Sequence, residues 1–124
     1  MTLTKKLPDA EFALMKIIWK SNPPITTTQI ISKLDKKNSW KPQTVLTLLV
    51  RLIEKRFLQS EKVGKERCYT PLVSEREYTQ FETGSFVSKY HDNSVVALVN
   101  TLFDGKQMSE QDISDLKDWL AERM

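Results

Sequence analysis

A chain of 124 residues is the length of one domain, or of a small domain with an appendage, and its 40% hydrophobic and 28% charged residues exclude disordered and fibrous classes. No apolar run approaches the roughly 20 residues that cross a bilayer, the first residues lack the apolar core of a signal peptide, and the single Cys68 excludes an internal disulfide or a thiolate metal cluster, so a cytoplasmic protein is expected. The net charge of +3 hides a division: residues 1–72 hold 14 Lys and Arg against 6 Asp and Glu, giving +8, whereas residues 73–124 hold 5 against 10, giving −5, which suits a polyanion to the first half and sets a domain boundary near Leu72.

Pro8 and Asp9 open the first predicted helix, in which Ala10, Leu14, Ile17 and Ile18 form one stripe, Met15 and Trp19 widen it, and Lys20 stands near the end. Ser21-Asn22-Pro23-Pro24 breaks the pattern. Ile25 then sits in a short extended segment. Any of Thr26, Thr27 and Thr28 can cap a short helix holding Ile30, Ile31 and Leu34. Asp35 to Ser39 reads as a polar turn.

The third helix, within Trp40 to Lys55, is the most informative stretch. Val45, Leu48, Leu49, Leu52 and Ile53 fall at i, i+3, i+4, i+7 and i+8, so one side must face a core. Gln43, Thr44, Thr47 and Arg51 lie on the other side, with hardly a carboxylate near them. Pro42 fits the first helical position, which makes Lys41 the cap and lets Trp40 staple onto Val45. Lys41 caps poorly, because it cannot accept a backbone N–H bond and its charge lies at the positive end of the helix dipole; an anion at that end would resolve the mismatch. An ordinary amphipathic helix with a solvated polar side would show the same periodicity.

Phe57 to Val63 reads as a strand, Gly64 and Lys65 as a turn, and Glu66 to Thr70 as the returning strand, stopped by Pro71. Lys62, Lys65 and Arg67 cluster at the hairpin tip. Three helices followed by a basic hairpin is the order of a winged helix-turn-helix, in which the third helix enters the major groove and the hairpin meets the flanking backbone. The expected DNA-facing set is Thr27, Lys41, Gln43, Thr44, Thr47, Arg51, Lys62, Lys65 and Arg67.

Ser74 and Glu77 make a capping-box spacing that starts a new helix, with Tyr78, Phe81, Phe86 and Tyr90 expected on its buried side. His91-Asp92-Asn93-Ser94 interrupts. Val95, Val96, Leu98, Val99, Leu102 and Phe103 then form an apolar helix that Gly105 should stop. Ser109 and Asp112 start a last helix carrying Ile113, Leu116, Trp119 and Leu120. Two short helices cannot enclose so many large apolar side chains. A second copy of the chain is the simplest cover, so Val95, Val96, Leu98, Val99, Leu102, Phe103, Ile113, Leu116 and Leu120 are the expected dimerisation residues. Folding these helices back onto the first domain is the monomeric alternative. The expected architecture is therefore mainly α with a small β-hairpin: a winged helix-turn-helix over 1–72 and a helical dimerisation region over 73–124.

Chemistry-bearing motifs are missing. There is no Gly-rich phosphate loop, no metal-spaced His, Cys and carboxylate set, and no nucleophile near a histidine in a recognised motif. His91, the only histidine, lies in a helix break beside Asp92 and Asn93. Neither an enzyme, a bound metal nor a cofactor is expected. An adaptor that uses the winged helix to bind a protein, without sequence preference in DNA, is the reading from another class.

Asp9-Ala10-Glu11 with Met15-Lys16-Ile17-Ile18-Trp19, Trp40 with Pro42, Thr44, Thr47 and Arg51-Leu52, Tyr69 in the hairpin, and Phe86, Leu98-Val99, Ser109, Ile113 and Leu116 further on are phrases that carry a resemblance. Together with the order of elements, they resemble the penicillinase repressor family, which includes the methicillin-resistance repressors. The resemblance implies a dimeric repressor that binds dyad operator DNA and is inactivated through a sensor-linked protease when a membrane sensor detects a β-lactam. The chain departs from the family in several places. Lys41 stands where many members have Ser, and Leu46 where a basic residue is common; the cleaved Asn-Phe pair aligns with Thr101-Leu102. The cysteine motif of the copper-responsive branch is not found, so copper sensing is not implied.

Overall fold

The computed structural model describes residues 6–34 and 38–124. Helix α1 (Asp9–Lys20) has Asp9 and Glu11 in its first turn and Lys20 in its last, charges that complement the helix dipole, and it buries Leu14, Met15 and Ile18. After strand β1 (Ile25–Thr26), helix α2 (Thr27–Ser32) is capped by Thr26 in a reciprocal box: the Gln29 N–H donates to Thr26 Oγ1 at 3.1 Å and the Thr26 N–H to Gln29 Oε1 at 2.9 Å. Residues 35–37 of the expected polar turn lie outside the described residues. Helix α3 (Pro42–Glu54) buries Val45, Leu48, Leu49 and Leu52, as its periodicity predicts.

α3 ends in a paired hydrogen-bond motif. Arg56 takes the left-handed conformation (φ 64°), its N–H donates to the Ile53 carbonyl at 3.0 Å, and the Phe57 N–H donates to the Leu52 carbonyl at 2.9 Å. The arrangement turns Phe57 into the core and starts strand β2 (Leu58–Val63), which pairs with strand β3 (Glu66–Pro71). The expected two-stranded hairpin is in fact three-stranded, in the order β1-β3-β2, because Ile25 and Thr26 pair antiparallel with Tyr69 and Cys68. A two-residue strand has no periodicity to read.

Helix α4 (Glu75–His91) starts with the predicted capping box, the Ser74 N–H on Glu77 Oε1 and the Glu77 N–H on Ser74 Oγ, each at 3.0 Å. Its first turns belong to the first of two compact units, which runs through Phe81. Tyr78 is fully buried there, ringed by Phe12, Trp19, Phe57 and Phe81 at centroid distances of 5.6, 6.0, 5.5 and 6.2 Å, and its hydroxyl accepts the Leu7 N–H at 2.7 Å. Trp19 Nε1 donates to the Val73 carbonyl at 2.8 Å. These contacts hold the start of α4 to the core of α1, α3 and the sheet.

The second unit, Glu82–Met124, holds the rest of α4, helix α5 (Val95–Asp104) and helix α6 (Glu110–Arg123). Phe86 and Tyr90, expected on a buried side, are exposed and pack on each other at 4.9 Å. Their spacing marks an apolar row that the described residues leave uncovered. Gly105 is the C-cap of α5 yet keeps φ −80°; the left-handed residue is Lys106 (φ 60°), whose N–H bonds the Phe103 carbonyl at 3.0 Å while the Gln107 N–H bonds that of Leu102 at 2.9 Å. The helix thus ends at Gly105 as expected, with the left-handed conformation carried by the next residue. Neither α5 nor α6 buries a residue.

Candidate nucleic-acid interface

α3 opens without a side-chain cap: Lys41 supplies only its carbonyl, which accepts the Val45 N–H at 3.1 Å, and Pro42 removes one donor. The first turn contains no acidic residue. A helix start with free N–H groups and a lysine beside it is electropositive and open to an anion. Gln43, Thr44, Thr47 and Arg51 are all exposed along the helix, and Thr47 Oγ1 donates back to the Gln43 carbonyl at 3.1 Å.

At about 100° per residue, the direction opposite the buried stripe passes through Gln43, Thr47 and Val50. Of the Thr44, Thr47 and Arg51 row singled out by spacing, Thr47 therefore lies near the middle of the exposed face and Thr44 and Arg51 on one flank. Val50 lies near its middle and Leu46 on the other flank, both exposed. Neither belongs to the expected DNA-facing set, because both are apolar. Their exposure follows from their angle to the buried stripe.

The hairpin supplies the second cationic group. Gly64 takes φ 66° in the turn beside Lys65, and Lys62 and Arg67 are direct partners across β2 and β3. Like charges placed opposite each other oppose strand pairing, so the pair is a local cost that an anionic ligand would offset. Arg67 Nη1 donates to Ser60 Oγ at 3.0 Å. The nearby carboxylate of Glu66 accepts the Thr28 hydroxyl at 2.7 Å, which ties the hairpin to α2. Thr27 is placed differently from the other candidates: it is half-buried, and its hydroxyl donates inward to the Tyr69 hydroxyl at 3.2 Å. Its contact braces α2 against the sheet, and Thr28 is the outward-facing threonine.

The residues expected to dimerise form an apolar surface in the second unit. Val95, Val96, Phe103 and Leu120 are exposed, Val96 at 70%, and Leu98, Val99, Leu102, Ile113 and Leu116 are half-buried. The Thr101–Leu102 bond lies inside α5, with the Thr101 carbonyl accepting the Gly105 N–H at 3.0 Å. Among the described residues, no group of three or more His, Cys, Asp and Glu is placed to hold a metal ion.

The family model "Penicillinase repressor" matches residues 7–122. The penicillinase repressor of Bacillus licheniformis is 35% identical over 121 residues, covering 95% of this chain and 94% of that protein. The methicillin resistance regulatory protein MecI of Staphylococcus aureus (strain N315) is 27% identical over 120 residues, 97% of each chain. Among solved structures, the DNA-binding domain of the repressor BlaI is 40% identical with a TM-score of 0.54, and monomeric Bacillus licheniformis BlaI in complex with the blaP half-operator is 40% identical with a TM-score of 0.52; each match covers 63% of this chain and 94% of the other. With the match running over nearly its whole length, this chain belongs to the penicillinase repressor family.

Proposed function

We propose that this protein is a transcriptional repressor that binds dyad operator DNA as a homodimer, with 1–72 as the DNA-binding part and 73–124 as the dimerisation part. The observation that carries the reading is the exposed face of α3, which starts with an uncapped helix end beside Lys41 and presents Gln43, Thr44, Thr47 and Arg51 without a carboxylate until Glu54. α3 is the recognition helix in the major groove, and Lys62, Lys65 and Arg67 of the wing contact flanking phosphates. The solved complex of a relative with a half-operator supports the same use of this fold. By the same kinship, the regulated genes belong to a β-lactam-resistance operon and repression ends when a sensor-linked protease cuts the second unit. The protein works in the cytoplasm, and its role requires no catalysis.

Salt titration tests the reading. If each protomer neutralises about three to five phosphates, log K should fall against log salt with a slope of roughly −5 to −9 for the dimer. Gln43→Ala and Thr44→Ala should alter operator preference, each good base contact being worth about 1–3 kcal/mol of discrimination, whereas Lys65→Ala should weaken all sequences alike. A slope near zero, or recovery of genomic fragments at random, would defeat the proposal.

A further inference from the structure

Leu46 and Val50 lie one turn apart on α3 and both reach solvent, at 40% and 53% exposure, although Val45, Leu48, Leu49 and Leu52 of the same helix are buried. The apolar surface that these two side chains leave in water gains nothing from burial. Their setting is specific: Gln43 and Thr47 stand beside them, Arg51 follows Val50, and from Lys41 to Ile53 the helix carries cations and no carboxylate. Two aliphatic groups are far smaller than the roughly 800 Å² per partner of a stable protein interface, and their surroundings suit a polyanion. They match an apolar group of methyl size embedded in a polar, negatively charged surface.

The major groove offers one such group, the C5-methyl of thymine. We propose that Val50 and Leu46 read thymine methyl groups, so that part of the operator is selected by apolar contact while Gln43 and Thr47 supply hydrogen bonds to neighbouring base edges. This inference rests on α3 being the recognition helix, and it names what two residues outside the expected DNA-facing set recognise there. Because the contact senses a methyl group and not a donor or acceptor, cytosine methylated at C5 should satisfy it better than cytosine.

The test begins with duplexes selected from a random pool by the full-length protein. Individual thymines are then replaced by deoxyuridine, which lacks only the methyl. At one or more positions in each half-site, affinity should fall roughly fourfold, the factor for losing one methyl-sized apolar contact. At the same positions, 5-methylcytosine should bind more tightly than cytosine. Val50→Ala or Leu46→Ala should weaken the thymine duplex and erase its advantage over uracil, while leaving the salt slope unchanged because the backbone contacts remain. Equal binding of thymine and uracil duplexes at every position, within about twofold, overturns the proposal and leaves the repressor reading intact. So does a thymine preference that survives in both variants. Failure to select any duplex overturns the repressor reading and this inference with it.

Discussion

Glu11 carries a charge into the core of the first unit, where its side chain is 3% exposed and Lys55 Nζ lies 2.6 Å from its Oε1. The pair joins α1 to the C-cap of α3, so it fixes the end of the helix that presents Arg51. Lys55 is itself 36% exposed, which keeps its own desolvation cost low; Glu11 bears most of the burial. Removing the cation strands the carboxylate. Lys55→Met should therefore destabilise the protein by about 1–3 kcal/mol, and adding Glu11→Met should recover most of that loss, because two apolar side chains of similar volume need no partner. Urea unfolding of both variants and the double mutant is the check; additive losses would mean that the pair has no coupling. The spacing of α1 does place Glu11 on the buried side, with Leu14, Met15 and Ile18 at i+3, i+4 and i+7 from it, but an acid at a helix start reads first as a partner of the helix dipole. Tyr78 was legible as apolar, but the hydroxyl that accepts the Leu7 N–H was not, since that bond joins residues 71 positions apart.

At the scale of elements, the capping boxes were the most readable features, because they depend on two residues three apart and on nothing else. The same boxes make the helices sensitive to acid. The Ser74 N–H, and then its hydroxyl, hold Glu77 below its ordinary value of 4.5, and Ser109 does the same for Asp112 below 3.8. A carboxylate lowered on folding stabilises the folded state above its ordinary value, and that contribution disappears as pH falls through the lowered one. The start of α4 should thus weaken as pH falls below 4.5 and that of α6 as pH falls below 3.8. Replacing Glu77 by Gln and Asp112 by Asn keeps an acceptor at each box but removes the charge. Circular-dichroism melts at neutral and acid pH should show a smaller acid loss in this double variant than in the unmodified chain; an equal loss would assign the acid limb elsewhere. The exposed face of α3 is legible only in part. Periodicity locates the buried stripe of α3 at Val45, Leu48, Leu49 and Leu52, whereas polarity alone singles out Thr44, Thr47 and Arg51 and is silent on the exposed Val50. In the wing, Lys62 and Arg67 were found because a hairpin with a Gly64 turn fixes its own register. β1 could not be found that way, since its two residues are held by β3 and not by their own pattern.

At the scale of the molecule, α5 and α6 carry apolar residues that the described residues cover only in part, with Val95, Val96, Phe103 and Leu120 exposed, and the exposure of Phe86 and Tyr90 has the same physical form: an apolar row marks a face that prefers cover without saying which chain supplies it. A two-fold partner would cover this surface. Val96, at 70% exposure, is the clean place to test it, because an acid there costs a lone chain almost nothing. Val96→Asp should leave folding intact, convert the protein to a 14.4 kDa species in sedimentation, and weaken operator binding by about 10²–10⁴-fold through lost bivalence; an unmodified protein that already sediments as a monomer would refute the dimer. The same surface bears on how repression ends. The Thr101–Leu102 bond is held in helix by the Thr101 carbonyl to the Gly105 N–H and by the Leu102 carbonyl to the Gln107 N–H, at 3.0 and 2.9 Å. A protease needs extended backbone, so the last turn of α5 must open before the bond is cut. Asn100 and Thr101 are mediocre helix formers, which makes this turn the easiest to open. Replacing both by Ala should stabilise it by about 1 kcal/mol and slow cleavage roughly fivefold where cutting tracks the open population. Cleavage would separate Leu102, Phe103 and α6 from the first unit, and in the proposed dimer each arm would then hold its half-site alone. Mass spectrometry of protein from cells exposed to a β-lactam should find fragments 1–101 and 102–124, fewer of them in the Ala variant; an intact chain under full induction would rule the cut out and leave release to another signal.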